Sequence, residues 1–207
     1  KGAIAIIEMY KMQFPWNVFK GFFGKEQIQI VDGSKEDIVY GWLKADFGKD
    51  FDKLLKKSRK GSIRAQGYSS TPVMSSNVIG IIEGSDPQLK DEYVLFSAHF
   101  DHVGMKKEGE GDLIFNGARD NAIGTASLLV TAKHLVHDRP KRSVIIAAVT
   151  GEEVGLLGSR YYSNNPVIPL EQTIFNLNSD GAGYNDTTSL SIIGYGRVGI
   201  DELLDQS

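Results

Sequence analysis

The chain has 207 residues, 41% hydrophobic and 24% charged, with a formal net charge of −3. That composition is ordinary for a globular protein of one large domain, or one domain and part of another, and it offers no basic excess for nucleic acid or an anionic membrane. The absence of cysteine excludes disulfides and thiolate metal sites, so any metal must be held by oxygen and nitrogen ligands, which suit Zn, Mn, Co or Mg.

Lys1 is not an initiator methionine, and the last residues, LLDQS, stop as a helix begins; the expectation is a chain trimmed at both ends. Residues 3–7, AIAII, read as a strand. Residues 10–25 carry Tyr10, Phe14, Trp16, Phe19, Phe22 and Phe23 without a clear period. They read as a loop packing on a neighbour rather than an aromatic binding platform. Residues 28–31 alternate weakly. Phe47, Phe51, Leu54 and Leu55 form an amphipathic helical stripe within 47–57, and the Lys/Arg run at 53–60 is the solvated end of that helix. Residues 63–66 suggest another strand. The Ser/Thr/Pro-rich stretch 67–76 is a connector, and the domain boundary is placed at residue 70.

Beyond it the pattern becomes α/β. Strands are expected at 77–83, 93–98, 143–149, 173–178 and 189–193. A helix is expected from Asn121 to about His137, with Ile123, Leu128, Leu129, Ala132, Leu135 and Val136 on its buried face, and another starts near 155. The run SVIIAAV at 143–149 has the length and branching of a central strand. Strands alternating with helices predict an α/β fold: a mixed, largely parallel sheet with helices on both faces.

Ligands of open α/β sheets bind outside the carboxyl ends of the strands. The strand 93–98 delivers His99 and Asp101 there, the strand 143–149 delivers Glu152 and Glu153, and the strand 173–178 delivers Asp180. Asp120 stands at the start of the helix from Asn121. Alone, Asp120 could be a helix cap and Asp180 a turn acid; arriving together on one rim, they form a carboxylate-rich metal site. A carboxylate can bridge two divalent cations about 3.5–4 Å apart, which together activate a hydroxide and polarise a carbonyl. Adjacent Glu152 and Glu153 point different ways, so one can ligate while the other acts as general base. Asp101 can accept the second N–H of the His99 ring.

The strings AHFDHVG (98–104), NGARDNAIG (116–124), GEEVG (151–155) and NSD (178–180) resemble the M28 zinc aminopeptidases, co-catalytic di-zinc exopeptidases. The resemblance implies an incomplete zinc-exopeptidase fold over about 75–207, and residues 1–70 more loosely resemble part of a protease-associated domain. It implies His99, Asp120 and Asp180 as ligands of one zinc, Asp120 bridging to a second zinc with Glu153, Glu152 as general base and Asp101 as support. Two Zn2+ are implied for a complete protein. The family's last ligand is a later histidine, and no His follows His137, so partial metal loading and little or no activity are expected of this chain alone. The family also suggests a peptide substrate and a periplasmic or extracellular location, with no nucleic-acid or membrane partner. An exposed sheet edge left by missing strands would allow a homo-oligomer.

Residues 194–199, GYGRVG, fit the dinucleotide GxGxxG, but the acid expected about 20 residues on has no place before Ser207, so a glycine-rich loop is the reading. No HExxH, Walker A or GxSxG string occurs. His134 and His137 read as surface residues, and His102 as either a rim or a substrate-facing group. Two rival functions stand beside the aminopeptidase: a glutaminyl-cyclase-like single-zinc enzyme and a non-catalytic interaction module.

Overall fold

The computed structural model describes residues 5–23, 27–31, 39–44, 52–53, 56–57, 62, 64, 69–181, 191–197 and 199–206. The chain divides into two compact units, Lys1–Ser75 and Ser76–Ser207.

In the first unit, β1 (Ala5–Tyr10) pairs in parallel with β2 (Val39–Lys44), Ala5 opposite Val39 and Tyr10 opposite Lys44. Between them, α1 (Trp16–Phe23) replaces the expected aromatic loop. Pro15 starts it: its carbonyl accepts from the Val18 and Phe19 amides at 3.0 and 3.1 Å, and its fixed φ suits a helix entrance. Eight residues interrupted by Gly21 are too few to show a helical period. Tyr10 and Phe19 are buried together, their rings 4.5 Å apart, with Trp16 stacked on Phe19 at 5.5 Å and Trp42 edge-on at 5.1 Å. Residues 28–31, where the sequence alternates weakly, form no strand. Phe47, Phe51, Leu54 and Leu55 of the expected helical stripe, and most of the strand expected at 63–66, lie outside the described residues.

The second unit holds a four-stranded sheet in the order β3-β5-β4-β6. The strands are β3 (Val78–Ile82), β4 (Tyr93–His99), β5 (Ser143–Val149) and β6 (Thr173–Asn178). β4 runs parallel to both β5 and β6, and β3 is antiparallel to β5. The sheet is therefore mixed and largely parallel, as expected. Side-chain alternation along β5 divides its residues between two faces. Ile145, Ala147 and Val149 pack with Leu95 and with Tyr162 of α3 (Leu157–Asn164). Ile146 and Ala148 turn the other way, toward Leu128 of α2 (Ile123–His137), where a cleft also lined by Val78 and Ile82 separates helix and sheet. Helices thus cover both faces. Ile145 is 0% exposed, and burial of that kind is worth about 1.5–3 kcal/mol over an exposed side chain.

α2 packs differently from the expected stripe. It buries Gly124 and Leu128, while Ile123, Leu129 and Val136 are exposed. The close approach is made through Gly124: a Cβ there would lie 2.4 Å from the Asn121 side chain and 2.7 Å from the Ser179 carbonyl. That contact, invisible to a count of apolar positions, sets the rotation of the helix. The strand expected at 189–193 is not found in its described part: Ser191 and Ile192 are irregular and residues 193–197 form a turn. This glycine-rich turn leads to α4 (Asp201–Asp205), and the Gly196 amide donates to Asp201 Oδ1 at 2.7 Å.

Candidate metal centre

The parallel register sets the rim. His99, the last residue of β4, is opposite Val149, the last residue of β5, and Ser97 is opposite Asn178 at the end of β6. Three chain segments therefore leave the sheet side by side at the carboxyl ends of parallel strands, where such folds place their chemistry.

His99 is the buried centre, 2% exposed. Its Nε2 lies 3.1 Å from Asp120 Oδ1 and 3.2 Å from Asp180 Oδ1. Its Nδ1 is 3.1 Å from the Asp101 main-chain carbonyl. A carbonyl only accepts, so Nδ1 carries the proton, and Nε2 with its lone pair faces two carboxylate acceptors. Only a cation, a second proton or a metal, reconciles three acceptor groups so placed. In the metal-free protein burial opposes charge on the ring. The Asp101 carbonyl, the Asp180 hydrogen bond and the charges of Asp180 and Glu152 outweigh it, holding the His99 pKa above the usual 6.5.

Asp101 acts by two routes. Its carbonyl orients the His99 ring, while the carboxylate expected to do so lies 3.7 Å from Nδ1. That carboxylate instead accepts from the Glu152 amide at 3.1 Å and the Glu153 amide at 3.3 Å. Asp101 thus ties the β4 loop to the β5 loop. The β5 loop is further fixed by Asn77, which accepts from the Thr150 amide at 3.1 Å and donates to the Gly158 carbonyl at 2.8 Å. Gly151 enters the turn at φ 67°, a conformation that glycine adopts without steric cost.

Burial pushes the Glu152 carboxyl above its ordinary 4.5; the nearby His99 charge opposes this, and the charges of Asp180, Glu153 and Asp101 add to it. Glu153, next in the chain, turns toward His102, with Oε1 2.6 Å from Nδ1. The donors fall into two groups, each with ligand atoms within 4.8 Å of one another: His99, Asp120 and Asp180, and His102, Asp120 and Glu153. Asp120 belongs to both. A neutral imidazole and carboxylates, with no sulfur donor, suit a borderline divalent cation such as zinc.

Asn121 is a site residue that the sequence does not single out. It is 2% exposed. Its Nδ2 donates to the Ser179 carbonyl at 2.9 Å, and its Oδ1 accepts from the Gly124 and Gly181 amides, both at 3.1 Å. It thereby fastens the Asp120 turn to the Asp180 loop. Thr125 adds a bond from the helix to the His99 carbonyl at 3.0 Å.

The family model of Peptidase family M28 matches residues 77–206. The chain belongs to peptidase family M28. Over 109 residues it is 37% identical to a vacuolar membrane protease of Saccharomyces cerevisiae (strain YJM789), a match covering 53% of this chain and 10% of that protein. The corresponding protein of Lachancea thermotolerans is 34% identical over the same length, 53% of this chain and 10% of the relative. This chain therefore spans about a tenth of the length of the curated relatives it matches. A solved structure, the Peptidase M28 precursor from Shewanella amazonensis SB2B, is 26% identical at a TM-score of 0.43, covering 75% of this chain and 34% of that one. The periplasmic or extracellular expectation is overturned by these relatives, which are named vacuolar membrane proteases. Resemblance at the rim carries no information on compartment, because imidazole and carboxylate side chains at strand ends do not address a protein to a location. Among the described residues no helix is long and apolar enough to cross a membrane.

Proposed function

We propose that this chain carries the metal centre of a zinc-dependent aminopeptidase acting on peptide N-termini. The observation that carries the proposal is the His99 Nε2 lone pair aimed at two carboxylates 3.1 and 3.2 Å away. His99, Asp120 and Asp180 would hold one metal, and Asp120 and Glu153 would contribute to a second. When bound, such ions polarise a peptide carbonyl and lower the pKa of water.

The side chains divide the remaining work. Glu152 is the general base, taking a proton from the attacking water and passing it to the amine that leaves when the C–N bond breaks. Its burial-raised pKa brings it closer to neutrality, where proton transfer in both directions is efficient. Asp101 holds the Glu152 and Glu153 amides and the His99 ring in one frame. The concentration of carboxylates on the rim attracts a free terminal ammonium. From the relatives' name, we place this activity at a vacuolar or lysosomal membrane.

The test is a panel of aminoacyl-p-nitroanilides beside peptides with N-terminal Gln, assayed on zinc-loaded protein. p-Nitroaniline release with no cyclised Gln product is expected, at a low rate where the second metal is only partly loaded. Cyclisation alone would favour the glutaminyl-cyclase reading, and absence of both product and bound metal would leave the interaction module.

A further inference from the structure

We propose that Phe115 is a specificity-determining residue that packs the first substrate side chain on the leaving side of the scissile bond; this rests on the aminopeptidase reading above. Phe115 is carried by a hairpin that rises from the rim directly after His102. Met105 pairs with Ile114 in an antiparallel bridge. The Lys106 amide donates to the Leu113 carbonyl and the Phe115 amide to the Gly104 carbonyl, both at 2.9 Å. Asp112 fixes the returning arm: its Oδ1 accepts from the Ile114 amide at 2.9 Å and its Oδ2 from Asn116 Nδ2 at 3.4 Å. The alternation of an extended pair puts Gly104, Lys106, Leu113 and Phe115 on one face of the hairpin.

That face adjoins the candidate metal centre. The Phe115 ring meets the His102 ring edge-on, 6.4 Å between centroids, and His102 Nδ1 is 2.6 Å from Glu153 Oε1. One imidazole therefore separates Phe115 from a carboxylate of the site. Gly117, at φ 64°, keeps that imidazole in place: a Cβ there would lie 3.0 Å from His102 Cγ and 3.0 Å from the Asp120 carbonyl. Across the hairpin from Phe115 stands Gly104, and a Cβ built on it would meet nothing within 4 Å. Phe115 is 42% exposed beside this open space. An aromatic surface held at the edge of a polar centre, with room next to it, is suited to an apolar side chain of a ligand.

Charge gives the direction in which a peptide lies. The rim around His99 carries Asp101, Asp120, Asp180 and Glu152. On the hairpin face the Lys106 ammonium lies 5.4 Å from the Phe115 ring centroid, and Glu108 and Glu110 follow in the turn beyond the last pair. A free terminal ammonium is drawn to the acids around His99 and kept from Lys106. The chain beyond the scissile bond, which in a short peptide ends in a carboxylate, then runs toward Phe115 and Lys106.

The test is isothermal titration calorimetry of the zinc-loaded 207-residue chain with reduced-bond dipeptides, which cannot be hydrolysed: Leu-ψ(CH2NH)-Phe, Leu-ψ(CH2NH)-Ala and Phe-ψ(CH2NH)-Ala. Wild type should bind the first about 10-fold more tightly than the second, as expected for an aromatic pair and its buried area. Phe115→Ala should erase that preference while zinc content and affinity for Leu-ψ(CH2NH)-Ala stay unchanged. Phe115→Leu should keep part of the preference, and it replaces the Ala variant as the test if that variant does not fold. A preference that survives substitution, or that is absent from wild type, overturns the inference and leaves the aminopeptidase reading standing. So does a loss confined to Phe-ψ(CH2NH)-Ala, which would put the ring on the N-terminal side. No binding of any of these dipeptides to zinc-loaded wild type overturns both.

Discussion

Replacing Asn121 by Ala would separate the two ligand-bearing loops while leaving every ligand in place. The side chain makes three hydrogen bonds, to Ser179, Gly124 and Gly181, at a position 2% exposed. At about 1 kcal/mol net per bond they amount to about 3 kcal/mol. Some water will reach the cavity and satisfy part of what is lost, so a destabilisation of about 2–3 kcal/mol is expected in urea denaturation of the metal-free protein. Asp120 and Asp180 would then be held less firmly against His99, and zinc affinity at the first site should drop about 10–100-fold, read by competition with a chromophoric chelator. Stability within about 0.5 kcal/mol of wild type, the ordinary range for surface changes, together with unchanged zinc affinity, would refute the reasoning.

Other expectations follow from the same geometry. Glu152→Gln should cut turnover of the zinc-loaded protein by about 10²–10⁴ while zinc content stays the same; an unchanged kcat would remove Glu152 as the base. Gly158→Ala would put a Cβ 2.3 Å from the Thr150 carbonyl and 2.4 Å from Asn77 Oδ1, so the turn carrying Glu152 and Glu153 must shift. A loss of about 1–3 kcal/mol should appear in chemical denaturation. The metal-free protein should lose stability as pH rises. The His99 pKa is raised in the fold, so its stabilising charge is fully present below 6.5, the unfolded value, and disappears as pH climbs through the higher folded value. Melting temperatures across pH 6–9 should decline, and His99→Ala should flatten that decline.

Much of the second unit can be read from residues alone, because its signals are local. The apolar run of β5 is long, branched and bounded by polar turns, and the acids that follow each parallel strand necessarily share a rim. The first unit is less legible. α1 is a single short helix that contains Gly21, and β2 is a short strand that contains Gly41, so neither sequence is long enough to develop a clear period. Within the site, His99, Asp120, Glu152, Glu153 and Asp180 stand out by residue type and spacing. Asn121 does not, since its three bonds go to backbone groups that any residue could supply. His102 is visible as a histidine, but its approach to Glu153 depends on the path of the 103–117 loop and on Gly117. Asp101 is legible as support for His99; that its carbonyl does this, freeing the carboxylate for the Glu152 and Glu153 amides, is a matter of a few tenths of an ångström.

The metal centre is tested most directly by anomalous diffraction at the zinc edge from crystals grown with zinc. A peak should lie about 2.0–2.2 Å from His99 Nε2 and from carboxylate oxygens of Asp120 and Asp180. Fully loaded crystals with no peak among those three residues would contradict it.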